Sequence, residues 1–337
     1  MHSPKVSVLV TFYNQEKYVD KALQSIFMQK TNFDYQVLVG DDGSSDNTCG
    51  LVGKWLEKYP DRIELHVMDR GTDKYIPGFR ASRNRLNLLR YVKGEYFIFL
   101  DGDDYFEYEY KLQKQVDILD LSENKDCIAC GHNVDMLFPD GSRSPITSVK
   151  LKEGKYSPEA YWDNIYFHTD TLLARASVIS TIPVRRIENN FNDNMITFTL
   201  IQNGSIYYIP ESWVVYLQTG DGIWTSNKEV INHIRNMFLY DLCNQINPDM
   251  KKETSHRFAI TWLSLLKIRR RISSLELTQY SEEAQNKNLE VSYKWIHYAE
   301  QKPIDKMLLC MEAVRKSWKI VIRLLLGKLR HYNDLIN

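Results

Sequence analysis

Residues 97–104 read Phe-Ile-Phe-Leu-Asp-Gly-Asp-Asp, an apolar run that passes directly into three carboxylates. A run this short and apolar predicts a strand that is buried on both faces, as in a parallel sheet covered by helices. Asp101, Asp103 and Asp104 would then emerge together at the carboxyl end of that strand. Since ligands of open α/β sheets bind at this edge, the acids predict a ligand site.

The spacing of the acids suggests what they hold. Three neighbouring carboxylates repel one another unless a cation or hydrogen-bond donors stabilise them. Asp101 and Asp103, with Gly102 between them, can present oxygens to a hard divalent ion and leave coordination positions for phosphate. The alternative is an acidic turn or a helix N-cap, because aspartate is common in both.

The residues around this strand alternate between two periodicities. Apolar runs predict strands at 5–12, 35–39, 63–68 and 96–100, and helical spacing predicts helices at 15–29, 44–59 and 80–92. Such alternation predicts an α/β fold with a Rossmann-like, mostly parallel sheet flanked by helices. Beyond residue 222 the sequence changes to long, charged, periodic segments, which predict a helical C-terminal region.

Composition limits the classes of function and compartment. The formal net charge is zero, which gives no reason to expect nucleic acid as a partner. Five scattered cysteines without a preceding secretory signal predict reduced thiols in a cytoplasm. No run of about 18 uninterrupted apolar residues occurs, so we expect no transmembrane helix.

Two further polar segments follow predicted strands. Residues 41–48 read Asp-Asp-Gly-Ser-Ser-Asp-Asn-Thr, in which the serines and Asn47 provide capping chemistry for a helix. Capping does not explain Asp41 and Asp42, whose carboxylates could accept hydrogen bonds from a base or a ribose. Residues 11–14, Thr-Phe-Tyr-Asn, end the first strand and could offer an aromatic ring and an amide to a nucleobase, although a packing role is as plausible for them.

These segments resemble, in order and spacing, the family 2 inverting glycosyltransferases of GT-A fold. The matching segments are residues 11–14, 41–48, 82–84, 94–96 and 100–104. The likeness is dense over about residues 5–106 and sparse to about 226. It implies a nucleotide-sugar-binding half at 1–106, an acceptor-binding half of the same domain at 107–224, and an appended region at 225–337.

The resemblance also implies roles for individual residues. A nucleoside-diphosphate sugar, with uridine as the expected nucleoside, would be the donor. The residues that would bind it are Thr11, Tyr13, Asn14, Asp41, Asp42, Arg83, Asn84, Asp101, Gly102 and Asp103. Asp103, together with Asp101, would hold Mg²⁺ or Mn²⁺ on the diphosphate. For Arg83, a solvated charge on a helix is an equally good interpretation.

Enzymes of this family need a base across the donor from the metal. Residues 191–195, Phe-Asn-Asp-Asn-Met, resemble the family segment that carries it, which makes Asp193 the candidate. The family often has Glu-Asp at this point, whereas this chain has Asn192-Asp193. The alternative is that Asp193 only caps a helix. His168-Thr169-Asp170 is a further candidate contact for metal or acceptor.

The C-terminal segment has a distinct charge pattern. Residues 313–333 contain no acid, and a helical wheel separates their basic from their apolar side chains. Such a helix can lie in a membrane interface, or it can dock on the protein with its basic face in water.

The combined hypothesis is a metal-dependent inverting glycosyltransferase. It would act on a glycan or lipid-linked acceptor in cell-surface polysaccharide synthesis, in the cytoplasm or peripherally on the cytoplasmic face of the inner membrane. Two alternatives stay open on sequence alone. One is a phosphotransferase or phosphohydrolase that uses Asp101 and Asp103, and the other is a catalytically silent nucleotide-sugar binder.

Overall fold

The computed structural model describes residues 3–70, 77–146, 151–158, 160, 167–219 and 229–250, together with 254, 257 and 261. The chain divides into two compact units, Met1–Thr219 and Gly220–Asn337. The segment 313–333, for which an amphipathic helix is predicted, lies outside the described residues.

Ten strands of the described residues form one sheet in the first unit. They are β1 (Val6–Phe12), β2 (Tyr35–Asp41), β3 (Ile63–Val67), β4 (Tyr96–Asp101), β5 (Tyr105–Phe106), β6 (Cys127–Leu137), β7 (Arg143–Pro145), β8 (Gly154–Tyr156), β9 (Leu173–Arg175) and β10 (Ser205–Leu217). Their order is β3-β2-β1-β4-β9-β6-β10-β5, with β7 beside β6 and β8 beside β10. The first four strands are mutually parallel, and β9 begins the mixed half by pairing antiparallel to β4. The predicted fold class is confirmed.

Helices connect the strands. The described ones are α1 (Val19–Phe27), α2 (Thr48–Lys58), α3 (Pro77–Leu88), α4 (Lys111–Asp120), α5 (Val184–Ile187), α6 (Asp193–Ile201) and, in the second unit, α7 (Glu229–Ile246). A 3₁₀ turn at Leu89–Tyr91 extends α3. Within the described ranges, none of the helices is both long and apolar enough to span a bilayer.

The helix starts differ from the sequence prediction for a physical reason. The prediction began the first helix at Gln15, whereas α1 begins at Val19. The backbone N–H groups of Gln15 and Glu16 donate instead to the side chains of Thr48 and Asp46, at 3.0 Å each. These long-range bonds hold the segment as a loop against the start of α2, which local periodicity could not reveal.

The core explains why the central strands are uniformly apolar. All seven residues of β2 are buried, and β1 and β4 each have one half-buried residue, Thr11 and Asp101. Helices cover both faces of these strands, so both sets of alternating side chains leave water. At their carboxyl ends β1 and β4 pass into polar residues, of which Thr11 and Asp101 are partly open to solvent.

Candidate functional site

The strand register brings the predicted segments to one edge. Thr11 of β1 lies opposite Asp101 of β4, and Phe12 lies opposite Asp41 of β2. The Thr11 hydroxyl donates to Asp101 Oδ1 at 3.4 Å. The carboxyl ends of three parallel strands thus present their polar residues together, as the sequence predicted.

Gly102 is required by the close approach of the acidic turn to β1. A Cβ atom at this position would lie 2.2 Å from Cδ1 of Phe12 and 2.6 Å from Oε1 of Gln15. The Gly102 N–H donates to the Thr11 carbonyl at 3.0 Å. The turn that carries Asp101 and Asp103 is therefore pressed against the end of β1, where only glycine fits.

Asp42 lies at the centre of a buried cationic pocket. Arg80 of α3 donates to its Oδ1 through Nε at 2.7 Å and approaches it through Nη2 at 2.6 Å. The Arg70 Nε group donates to the Asp42 carbonyl at 2.9 Å, and its guanidinium lies 3.7 Å from the ring centroid of Tyr13. Asp42 and Arg80 are both buried, so this pair is a strong, charge-assisted contact. Arg70 thus contacts both Tyr13 and Asp42.

Asp41 and Asn14 make contacts within the loops. The backbone N–H of Ser44 donates to Asp41 Oδ1 at 2.8 Å, and its hydroxyl donates to Oδ2 at 2.5 Å. Asn14 has a positive φ of 50° and accepts from the Ser45 N–H at 2.8 Å. Both side chains fix the loops that surround the pocket, and their predicted ligand contacts stay predictions.

Arg83 and Asn84 lie on different faces of α3. Asn84 is buried and donates to the Gly40 carbonyl at 2.9 Å, which ties α3 to β2. Arg83 is half-buried and donates to Oδ1 of Asn189 at 3.0 Å. Its predicted position on the nucleotide side stays a prediction.

Arg85 joins Asp101, at the end of β4, to the distant Asp193. Its Nη2 group donates to both oxygens of Asp101, at 2.6 and 2.8 Å, and Nη1 donates to Oδ1 of Asp193 at 3.0 Å. Burial opposes the charge on Arg85, but the two carboxylates outweigh it and raise its pKa. Burial likewise opposes the charge on Asp193, while Arg85 and His168 outweigh it and lower the pKa of Asp193. Asp193 is therefore an ionised carboxylate. A single guanidinium group separates it from Asp101.

The N-cap of α6 is Asn192 rather than Asp193. The Asn192 side chain accepts from the Met195 N–H at 3.1 Å, in extended backbone geometry typical of an N-cap. Asp193 is the first residue of the helix, and its side chain is turned to Arg85. Asn192, and not Asp193, therefore makes the N-cap hydrogen bond that the alternative assigned to Asp193.

Asp103 experiences an excess of negative charge. Burial, together with the charge of Asp101, raises the pKa of Asp103 to about 6. A divalent cation at this position would relieve both effects, and carboxylate oxygens are the ligands that Mg²⁺ and Mn²⁺ prefer. The donor set at the end of β4 fits such an ion.

A second group of donors lies beneath this turn. Among the described residues, Asp104, His168 and Asp170 form one cluster whose ligand atoms lie within 4.8 Å of one another. The Leu217 N–H donates to Asp104 Oδ1 at 2.8 Å, and the Asp101 N–H donates to Asp170 Oδ1 at 3.3 Å. Burial and the charge of Asp101 raise the pKa of Asp170 to about 7. The cluster could hold a cation or a proton, and it connects β4, β10 and the 3₁₀ turn Thr169–Thr171.

The arginines were the residues that sequence reasoning missed. Arg70, Arg80 and Arg85 have no recognisable motif, and charged helix residues are normally solvated. The sequence feature that could have indicated the buried arginines is the composition of α3. Its large apolar residues are Phe79, Leu86 and Leu88 alone. A helix that covers a sheet with so few apolar residues must bury polar ones, and buried arginines need acids as partners.

Comparison with known proteins identifies a family for this chain. The family described as Glycosyl transferase family 2 matches residues 7–182, slightly more than half of the chain. The poly(ribitol-phosphate) beta-N-acetylglucosaminyltransferase TarS of Staphylococcus aureus is 38% identical over 108 residues, which cover 31% of this chain and 17% of TarS. The predicted resemblance is confirmed.

Other relatives match a longer part of the chain. A protein of Mycobacterium bovis named as uncharacterized is 28% identical over 230 residues, 66% of this chain and 61% of its own length. The chain thus aligns with about three fifths of the length of this relative.

Solved structures confirm the GT-A fold. The crystal structure of S. aureus TarS residues 1–349 in complex with UDP superposes with a TM-score of 0.60 at 18% identity, over 93% of this chain and 91% of that one. A second TarS structure, in complex with UDP-GlcNAc, has a TM-score of 0.51 at 18% identity and covers 87% of this chain and 90% of that one.

Proposed function

Because the chain belongs to glycosyl transferase family 2, we propose that it is an inverting glycosyltransferase that moves a sugar from a uridine-diphosphate donor to an acceptor hydroxyl. The observation that carries this proposal is the placement of Asp193. Its ionised carboxylate and the donor-side Asp101 share one buried arginine, although 92 positions (193 − 101) separate them in sequence. Direct displacement at an anomeric carbon requires a base on the face opposite the leaving group, and Asp193 comes from α6, a different element from the strand β4 that carries the acids.

The pocket around Asp42 supports a nucleoside as part of the donor. Arg80 bonds to Oδ1 of Asp42, so a base would bond to Asp42 through Oδ2, and it would stack on the face of Tyr13 opposite Arg70. The named TarS structures bind UDP and UDP-GlcNAc, which is the reason that uridine is our choice of nucleoside. Asp101 would contact the ribose or the sugar, beside Thr11.

In the proposed reaction, Asp193 is the general base. Asp193 accepts the proton of the acceptor hydroxyl, whose oxygen attacks the anomeric carbon from the face opposite the diphosphate. Arg85 and His168 lower the pKa of Asp193, so the carboxylate is ionised before it accepts the proton. Attack from the opposite face inverts the anomeric configuration.

The residues that would hold the metal are Asp103 and Asp101. Mg²⁺ or Mn²⁺ bound there would neutralise the charge that develops on the leaving diphosphate. Arg85 already neutralises much of the charge on Asp101. We therefore assign the larger share of the metal binding to Asp103.

Thermal unfolding with a panel of nucleotide sugars tests the proposal. A ligand that binds only the folded state raises the apparent stability, by about 2.7 kcal/mol at a concentration of 100 times its Kd. We expect uridine-diphosphate sugars to raise the melting temperature with Mn²⁺ or Mg²⁺ present and not with excess chelator. Equal shifts with and without chelator would contradict the metal dependence. Binding without transfer to any acceptor would favour the silent binder.

We further propose a glycan or lipid-linked saccharide as acceptor and a peripheral position on the cytoplasmic face of the membrane. The support for the membrane position is the acid-free basic and apolar pattern of residues 313–333. Truncation after Glu312 should release the protein from anionic vesicles and leave donor binding unchanged. Sedimentation with vesicles measures the first effect, and equal binding of the full-length and truncated chains would favour a helix docked on the protein.

A further inference from the structure

The buried guanidinium of Arg85 connects two parts of the chain that the proposed reaction must keep in register. Asp101 ends β4 on the donor side, and Asp193 begins α6 on the acceptor side. Each acid receives hydrogen bonds from a different terminal nitrogen of the same side chain. The planar guanidinium therefore sets both the separation and the orientation of the two carboxylates.

Exposure of the three side chains differs in a way that fits this role. The Arg85 side chain is 9% exposed, whereas those of Asp101 and Asp193 are 31% and 29% exposed. The arginine is thus covered, whereas each acid keeps part of its side chain exposed. A residue that bound the substrate itself would need exposed side-chain surface, as the two acids have and Arg85 does not.

The surroundings of Arg85 hold its direction. Its guanidinium carbon lies 6.0 Å from the ring centroid of Phe99 on β4, and α3 is anchored to β2 by the bond from Asn84 to Gly40. The neighbouring residue in the helix thus fixes the backbone from which Arg85 projects. The ring of Phe99 and the anchored backbone of α3 together restrict where the guanidinium of Arg85 can lie.

We propose that Arg85 is a positioning residue of the transferase site, which holds the donor-side carboxylate of Asp101 and the base Asp193 in one fixed geometry. This inference rests on the proposed function, and it adds a residue that acts through both acids without touching the reacting atoms. Misplacement of a reacting group by about 1 Å can slow an enzyme about 100-fold. The effect should therefore appear in kcat more than in the KM of the donor.

Steady-state kinetics of Arg85→Met and Arg85→Lys test the proposal. We expect Arg85→Met to lower kcat by about 10- to 100-fold, with the KM of the donor changed by less than about threefold. Arg85→Lys keeps the charge but cannot reproduce the planar two-sided contact, so its kcat should lie between those of the wild type and Arg85→Met. The matched control is Arg143→Met, which removes a bidentate pair of an exposed arginine with Glu107, at 2.9 Å for both contacts. The control should keep the wild-type kcat.

A double-substitution cycle separates positioning from a general loss of structure. If Arg85 acts through Asp193, adding Arg85→Met to Asp193→Asn should slow transfer clearly less than it slows the wild type. Melting curves show whether each variant is folded, and the milder Arg85→Lys provides the kinetic test if Arg85→Met does not fold. A folded Arg85→Met or Arg85→Lys with kcat within twofold of the wild type, or full additivity in the cycle, would overturn the inference. Absence of transfer by the wild-type chain with every donor would instead refute the proposed function.

Discussion

The variant Asp193→Asn should fold, bind the donor with unchanged affinity and transfer the sugar at least about 100-fold more slowly. A general base contributes about 10²–10⁴-fold in rate, and asparagine cannot accept the proton. The fold should be preserved because Asn192, not Asp193, provides the capping bond of α6. Calorimetry with the donor and a rate measurement with donor and acceptor give the two quantities.

The control for this substitution is Asp61→Asn, at an exposed aspartate in the turn before β3. It makes the same chemical change away from the carboxyl edge and should leave transfer unchanged. Near-normal transfer by Asp193→Asn would place the base elsewhere. Weakened donor binding with a proportionate loss of rate would assign Asp193 to binding instead of proton transfer.

The variant Asp103→Asn should lose most of its activity together with its response to Mg²⁺ or Mn²⁺. The amide removes the negative charge that we assign to metal binding, and metal stabilisation of a leaving group contributes several kcal/mol, which is about 100-fold or more in rate. Calorimetric titration of Mn²⁺ into the protein without donor measures the site directly, and Asp61→Asn again serves as the control. Full turnover of the wild type in excess chelator would contradict this assignment.

The pKa of Asp103 gives this second prediction a pH dependence. Without a cation, burial and the charge of Asp101 hold the pKa of Asp103 at about 6. The group binds a proton below that pH, and the proton competes with the metal. Affinity for Mn²⁺ should therefore fall as the pH is lowered through about 6, and the control Asp61→Asn should show the same dependence.

The strands and the acids at their ends were predictable because both are encoded locally. A buried parallel strand is a short apolar run, and the residues that follow it must lie at its carboxyl edge. Asp42, Asp101 and Asp103 are predictable in this way, because each ends or closely follows an apolar strand. Family resemblance then added Asp193, which no local pattern distinguishes from a helix cap.

The partners of these acids were decided by the tertiary structure. Periodicity cannot show which of several arginines in one helix is buried, and α3 carries Arg80, Arg83 and Arg85 within six residues. Packing against the sheet directs Arg80 to Asp42 and Arg85 to Asp101.

The sequence by itself determined an α/β sheet with acids at its carboxyl edge and a base candidate in the second half of the domain. Only the tertiary structure decided that Arg85 lies between Asp101 and Asp193, because the Arg85–Asp193 contact joins residues 108 positions apart. Local periodicity contains no information about a contact at that separation. This contact forms only when the sheet and α6 are packed. A buried arginine without a partner would cost much free energy, so the covered position of Arg85 requires carboxylates beside it.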